Sequence, residues 1–120
     1  MSLIDTPLMG TLSRALDLTS YRQSLVSQNV ANIDTPGYHA RDIDFRQELQ
    51  RAISGDDDVS ATPMVREAPG LIERPDGNNV SLDRESLLMA QNQLSFQVDV
   101  QLLRSEFNRL QLAINGGNSQ

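Results

Sequence analysis

The stretch from Asp83 to Asn115 contains neither glycine nor proline. That absence constrains the fold more than any other feature of the chain. A helix over this stretch, rising 1.5 Å per residue, is roughly 50 Å long. A compact globule of 120 residues has a radius of gyration near 14 Å and measures about 35 Å across. The helix does not fit inside such a globule, so the molecule must be elongated. Along it, Phe96, Val100, Leu103, Phe107, Leu110 and Ile114 are spaced 4, 3, 4, 3 and 4 apart, an a/d heptad seam of the kind that packs helix on helix. Leu87, Leu94, Val98, Leu102 and Leu112 form a second stripe on another face, interleaved with Gln91, Gln101 and Asn108. Asp83 stands where an N-cap is wanted and Glu85 falls in the first turn. Gly116-Gly117 offers a stop, so the helix is expected over 83–115 with a polar tail at 116–120.

A second long helix is expected at the other end. Thr6 followed by Pro7 supplies a cap and a proline at the first helical position. Leu8, Leu12, Ala15, Leu16, Val26, Val30 and Ile33 fall in one arc of the wheel, and Leu18, Tyr21 and Leu25 form a separate stripe. Gly10 is expected to weaken the opening turn, so that the first ten residues fray. The end is sharply marked. Asn32 can close the helix in a left-handed conformation, Thr35 before Pro36 is pushed to extended geometry, and Pro36-Gly37 fills the centre of a type II turn. A helix from Pro7 to Asn32 is about 39 Å long, and residues 1–38 form the first segment.

Residues 39–82 read as a loop-rich middle. Asp44 and Gln47, three apart, resemble a capping box and open a short helix over 45–54, with Phe45, Leu49 and Ile53 on one face and Gly55 as its stop. Beyond it lie Asp56-Asp57-Asp58 and three prolines, Pro63, Pro69 and Pro75. Met64-Val65 and Leu71-Ile72 are candidate strands, confined to sheet edges by their neighbouring prolines. This middle is expected to be poorly ordered in isolation. The fold class is therefore mainly α: an elongated, coiled-coil-like pair of N- and C-terminal helices around a middle with one short helix and two short strands, all one structural unit.

Chemistry is constrained as tightly as shape. The chain has no cysteine and a single histidine, His39, which excludes a disulfide framework, a cysteine-held metal and a multi-histidine site within one chain. The net charge is −6, and all ten basic residues are scattered arginines; nucleic-acid binding needs clustered positive charge instead. No apolar run is long enough to span a bilayer, and the N-terminus lacks the basic start of a cleavable signal. His39, with Asp42 or Asp44 to orient it, has no serine in a nucleophile elbow beside it, and a solvated loop histidine accounts for it more simply. The Asp56–Asp58 triple lacks the glycine and glutamate of a calcium loop, and no phosphate-binding glycine motif occurs. No catalytic, cofactor-binding or metal-binding residue is expected, and no cofactor. Two long helices with apolar stripes on more than one face cannot bury everything against each other. The remainder is an interaction surface, which makes this an assembly subunit. The bland alternative is that the seam is an ordinary internal core.

Asn29, one turn before Asn32, and Tyr38, directly after the turn, are not explained by helix-stopping alone. At Ser27-Gln28-Asn29-Val30-Ala31-Asn32-Ile33-Asp34-Thr35-Pro36-Gly37-Tyr38 the chain resembles the N-terminal signature of bacterial flagellar rod and hook proteins, carried by Asn29, Asn32, Thr35, Pro36, Gly37 and Tyr38. Ala40-Arg41-Asp42-Ile43-Asp44-Phe45, Gly77-Asn78-Asn79-Val80-Ser81-Leu82-Asp83 and the C-terminal Gln101-Leu102-Leu103, Phe107, Leu110 and Ala113-Ile114 narrow the likeness to the proximal rod. The resemblance implies a non-enzymatic structural subunit of the basal-body rod, the drive shaft needed for motility. It implies export through the flagellar type III apparatus without a cleaved signal, and assembly in the periplasm. The implied partners are further copies of itself, the rod subunits FlgC and FlgF, the adaptor FliE, and the MS-ring and export-gate base. Phe96, Val100, Leu103, Phe107, Leu110 and Ile114 would then form the assembly interface, with the Asn29–Tyr38 segment fixing how the chain leaves the first helix. The alternatives are another rod subunit such as FlgC, or a soluble coiled-coil adaptor or export chaperone.

Overall fold

A computed structural model of the chain describes residues 6–55 and 62–118. The elements run α1 (Pro7–Ala31), β1 (Arg41–Ile43), α2 (Phe45–Ser54), β2 (Val65–Glu67) and α3 (Leu82–Asn118). The molecule measures 72 × 28 × 18 Å with a radius of gyration of 18.7 Å, well above the value near 14 Å of a globule of this length. It is mainly helical, with two long terminal helices, a short middle helix and a two-stranded antiparallel sheet.

The local signals explain most boundaries. Thr6 caps α1, its Oγ1 accepting from the Met9 amide at 3.1 Å, with Pro7 at the first position. The opening turn is formed despite Gly10, whose amide donates to the Thr6 carbonyl at 3.0 Å. Asp44 caps α2 by accepting from Gln47 N at 3.1 Å, and Gly55 closes it at φ 72°. Gly37 takes φ 76°, and the Tyr38 amide closes the turn on the Thr35 carbonyl at 3.2 Å.

Several expectations are corrected. Asn32 ends α1 at φ −106°, ψ 18° rather than left-handed, because its side chain closes the end instead: Nδ2 donates to the Gln28 carbonyl and Oδ1 accepts from Thr35 Oγ1. The cap of α3 is Ser81, whose Oγ accepts from the Arg84 amide at 3.2 Å, so the helix begins at Leu82 and Asp83 lies inside it. α3 also continues through Gly116 and Gly117 to Asn118; glycine tolerates helical as well as left-handed backbone, and a preference for stopping yields where the helical hydrogen bonds can simply continue. Finally, Leu71-Ile72 forms no strand. The sheet pairs Arg41, Asp42 and Ile43 with Glu67, Arg66 and Val65. From residue 62 on the middle packs onto the rest of the fold, with Ala68, Asn78, Asn79 and Val80 all buried. The acidic triple Asp56–Asp58, the first five residues and the last two lie outside the described residues.

α1 and α3 run antiparallel: Asn29 meets Glu85, Gln23 meets Asn92, and Met9 lies beside Leu103 and Phe107. Beyond Asn108, α3 overhangs the start of α1 by about 15 Å. α1 is buried on two sides, α3 taking one and the middle the other, which is why both of its stripes contribute. One small core joins Leu18, Leu25 and Ile43 with Tyr21, Phe45, Leu49 and Val65. The other, under the turn, joins Ala40, Ala68 and Val80 with Ile33, Tyr38 and Leu71. Ile53 was expected on the packed face of α2 but is 61% exposed, at the edge of an open groove beside Gly10 and Thr11.

Candidate functional site

The side chain of Asn29 uses its whole hydrogen-bonding capacity. Its Nδ2 donates to the Arg41 carbonyl and to Glu85 Oε1, both at 2.9 Å. Its Oδ1 accepts from the Arg41 amide at 3.0 Å and the Tyr38 hydroxyl at 3.1 Å. Two donors and two acceptor sites are all that an amide side chain has, and the group is fully buried. Asn29 therefore joins α1, the turn, β1 and α3 at one point. This accounts for the two residues of the signature that helix-stopping leaves over: Asn29 is the hub, and Tyr38 is aimed back at it.

Charge reinforces this hub. Arg22 grips Asp42 through two bonds, Nε to Oδ1 at 2.9 Å and a terminal nitrogen to Oδ2 at 2.8 Å. Arg84 bridges Asp42 Oδ2 at 2.5 Å and Glu85 Oε1 at 2.9 Å. Two arginines and two carboxylates form a neutral chain from α1 through β1 to α3. Burial pushes the Asp42 carboxyl up, but the Arg22 bonds, the Ile43 amide and the two guanidinium charges together outweigh it and lower its pKa. Glu85 goes the other way. Its burial dominates, Asn29 and Arg84 only partly offset it, and the charge of Asp42 adds to the rise. A lowered carboxyl contributes stability above its unfolded value of 3.8 that is lost as pH falls through the folded value. Asp42→Asn keeps the shape but turns an amide donor towards one arginine and leaves the cluster with excess positive charge. It is expected to cost about 2–4 kcal/mol, read as a lower urea midpoint at neutral pH, with the deficit narrowing in acid.

The turn itself is clasped from outside by residues 74–80. The Gly37 amide donates to the Asp76 carbonyl at 2.9 Å, and Asn78 Nδ2 donates to the carbonyls of Asn32 and Thr35, both at 2.9 Å. Asn79 Oδ1 accepts from the Ala40 amide at 2.7 Å. The Arg74 guanidinium donates to the carbonyls of Ile33 and Val80, supplying positive charge at the C-terminal end of α1, where the helix dipole favours it. The two segments that carry the family likeness thus interlock. Gly77 sits at φ 86°, and a Cβ there would lie 3.2 Å from the Gly37 Cα. Gly77→Ala is expected to destabilise by about 1–3 kcal/mol through the left-handed backbone alone, and more because the turn would have to back away; thermal unfolding measures it.

His39 lies at the rim, with Nε2 2.6 Å from Glu73 and Nδ1 3.2 Å from Glu67. The bond to Glu73, then that to Glu67, raises its pKa above the ordinary 6.5. A raised histidine contributes its pairing below the unfolded pKa and loses it as pH climbs through the folded one. The ring protons of His39, followed by NMR, should titrate above the unfolded chain's midpoint, and Glu73→Gln should lower that midpoint. Asp42, considered as its orienting partner, faces Arg22 and Arg84 instead. No cluster of three or more metal-ligating side chains occurs among the described residues.

α3 is polar where it faces α1. Glu85, Asn92 and Glu106 are buried and Asp99 is half-buried, all seven residues apart; Leu88, Leu103 and Leu110 complete that line. Asn92 donates to Gln23 at 3.0 Å, Arg109 covers Glu106 through two bonds, and burial raises the Asp99 carboxyl. Most of the remaining apolar residues of α3 point elsewhere. Of the heptad seam, Val100, Leu103 and Leu110 are half-buried, while Phe96, Phe107 and Ile114 are largely exposed. The second stripe is fully outward, with Leu94 63% and Leu112 72% exposed beside Leu87, Val98 and Leu102. No helix among the described residues is long and apolar enough to cross a membrane.

The signature residues were legible in the sequence; Arg22, Arg84 and Arg74 were not, nor was the pairing of Asp42 with two arginines. Each acts on a partner 20 or more positions away or on a distant carbonyl, and no local pattern announces that. Comparison with known proteins agrees with this geometry. The family model described as flagella basal body rod protein matches residues 9–39, the segment that holds the Asn29 hub and the turn. Flagellar basal body rod protein FlgB of Salmonella typhimurium is 33% identical over 87% of this chain and 90% of its own length. The FlgB of Bacillus subtilis is 32% identical over 88% and 92%, and that of Cereibacter sphaeroides 37% identical over 90% and 94%. With relatives so similar over so much of both chains, and with the matched segments forming the interlocked centre of the fold, the chain belongs to the FlgB family of flagellar basal body rod proteins.

Proposed function

We propose that this rod subunit joins its neighbours through the outward faces of its terminal helices, in the proximal part of the rod. Like the rest of its family it is a structural subunit of the flagellar basal body rod, and its place is in that rod. The observation that carries the assembly reading is the reversed polarity of α3: buried carboxylates towards α1, and exposed leucines, valine and phenylalanines away from it. An isolated hairpin gains nothing from such an arrangement, whereas a tube of packed helices buries the outer face of every copy. On this reading the exposed Phe96, Phe107 and Ile114 of the seam pack against neighbouring subunits, and Val100, Leu103 and Leu110, half-buried beside α1, contribute only the surface they leave open. The segment Asn29, Asn32, Thr35, Pro36, Gly37 and Tyr38 fixes the path by which the chain leaves α1.

Rod proteins assemble with other basal-body components. The partners proposed for this chain are further copies of itself, FlgC and FlgF, the adaptor FliE, and the MS-ring and export-gate base. Delivery is by the flagellar type III apparatus without a cleaved signal, into the periplasm. No enzymatic step is proposed; both ring nitrogens of His39 are engaged by carboxylates, which suits a structural role. Removing the gene tests the whole reading. Basal bodies imaged from such cells should lack a rod and the cells should not swim; complete rods in swimming cells would contradict it.

A further inference from the structure

Charge is distributed along this chain in blocks. Residues 86–98 carry no charged side chain, nor do residues 110–120, and residues 18–33 carry only Arg22, which is spent on Asp42. Elsewhere charged residues are dense enough to give the chain its net −6. The fold brings two of these neutral blocks together. Between α1 and α3 lies an open groove of about 630 Å³, with Ser20, Ser24 and Ser27 on one bank, Gln93 and Gln97 on the other, and Met89 and Phe96 offering apolar surface. No charged residue lines it. The third neutral block is the overhang of α3, where Leu112 is 72% and Ile114 46% exposed among the described residues.

We propose that the groove between α1 and α3 receives the overhanging end of α3 from a second copy of the chain. This rests on the assembly reading above and names which surface meets which. Two copies of charge −6 repel, and like charges brought face to face cost several kcal/mol. A neutral apolar segment entering a neutral groove avoids the penalty while burying Leu112 and Ile114. The overhang cannot fold back into its own groove, because Leu112 lies nineteen residues, about 29 Å, along α3 from Gln93. A contact between two different surfaces of the same chain forms a ring where its rotation closes and a helical array where an axial offset prevents closure. Successive copies would be offset by about that same 29 Å along the helix axis.

The absence of cysteine makes the test clean. Cells producing Ser24→Cys together with Leu112→Cys supply assembled rods, which are oxidised and run on a non-reducing gel. The expected result is a ladder at successive multiples of the chain's mass, absent from either single variant. Should this pair fail to build rods, Gln97→Cys with Ile114→Cys reports the same contact. Dimers from Ser24→Cys alone would mean that groove faces groove, and a product that is no multiple of the chain's mass would mean that another protein fills it. Either overturns the inference. Assembled rods from both pairs with no cross-link would also overturn it and leave the assembly reading intact. Failure to find the unaltered chain in purified rods would remove the assembly reading itself.

Discussion

Asn29→Leu should unfold at a temperature roughly 10–20 °C below the parent, a loss of about 3–4 kcal/mol. The substitution hardly changes volume, so a cavity is not the cause. It removes the partner of the Arg41 amide, the Arg41 carbonyl, the Tyr38 hydroxyl and one oxygen of Glu85. Each buried group left without a partner costs about 1–3 kcal/mol, and the half-buried Tyr38 hydroxyl recovers part of its share from water. Against a total stability of about 5–15 kcal/mol for a domain, that is a severe loss. Asn29→Asp separates hydrogen bonding from mere polarity. It keeps both acceptors but faces Glu85 with a second carboxylate where Nδ2 had donated at 2.9 Å. It should be at least as damaging as leucine at neutral pH and recover in acid, once one carboxyl of the pair is protonated. If leucine were tolerated and aspartate recovered nothing at low pH, Asn29 would not be the hub described here.

The ends of the helices were legible in the sequence because they depend on near neighbours. Thr6 with Pro7, Asp44 with Gln47, Gly55, and the Pro36-Gly37 turn each act within four residues, and each occurs in the structure as the residue types require. The same near-neighbour logic failed where two local candidates competed. Ser81 and Asp83 can both cap a helix, and Ser81 does so because the chain arrives from Asn79 and Val80, which are pinned under the turn. Only part of the sheet was legible: Met64-Val65 stood out as a strand and β2 begins at Val65, whereas β1 and the pairing did not. Strands of three residues with 21 positions between them show no periodicity, and β1 exists because Asp42 and Ile43 are held between α1 and β2. At the site, Asn29 and Tyr38 stood out only because the simpler explanation did not need them. Glu85 lies in the first turn of α3 as its position suggests, but nothing local announces that it is buried against Asn29, 56 residues away.

The second large effect concerns assembly rather than folding. Leu94→Asp and Leu102→Asp place a charge on the outward stripe of α3, where the parent leucines are 63% and 48% exposed. In the isolated chain such surface changes stay within about 0.5 kcal/mol, a thermal shift of no more than a few degrees. In a rod, each copy would bury an unpaired carboxylate, at a cost of several kcal/mol per copy, in place of a leucine worth about 1.5–3 kcal/mol of burial. The two consequences diverge by design: the monomer barely changes, while the assembly fails at every copy.

The most direct measurement of the central claim, that the polar inner face holds the hairpin and the apolar outer face builds the rod, pairs these two readings on one variant. Thermal unfolding of purified Leu94→Asp/Leu102→Asp is compared with images of basal bodies from cells that produce it. The account predicts a melting curve close to the parent's and basal bodies without a completed rod, in cells that do not swim. Complete rods, or a monomer that collapses before assembly is ever attempted, would contradict it.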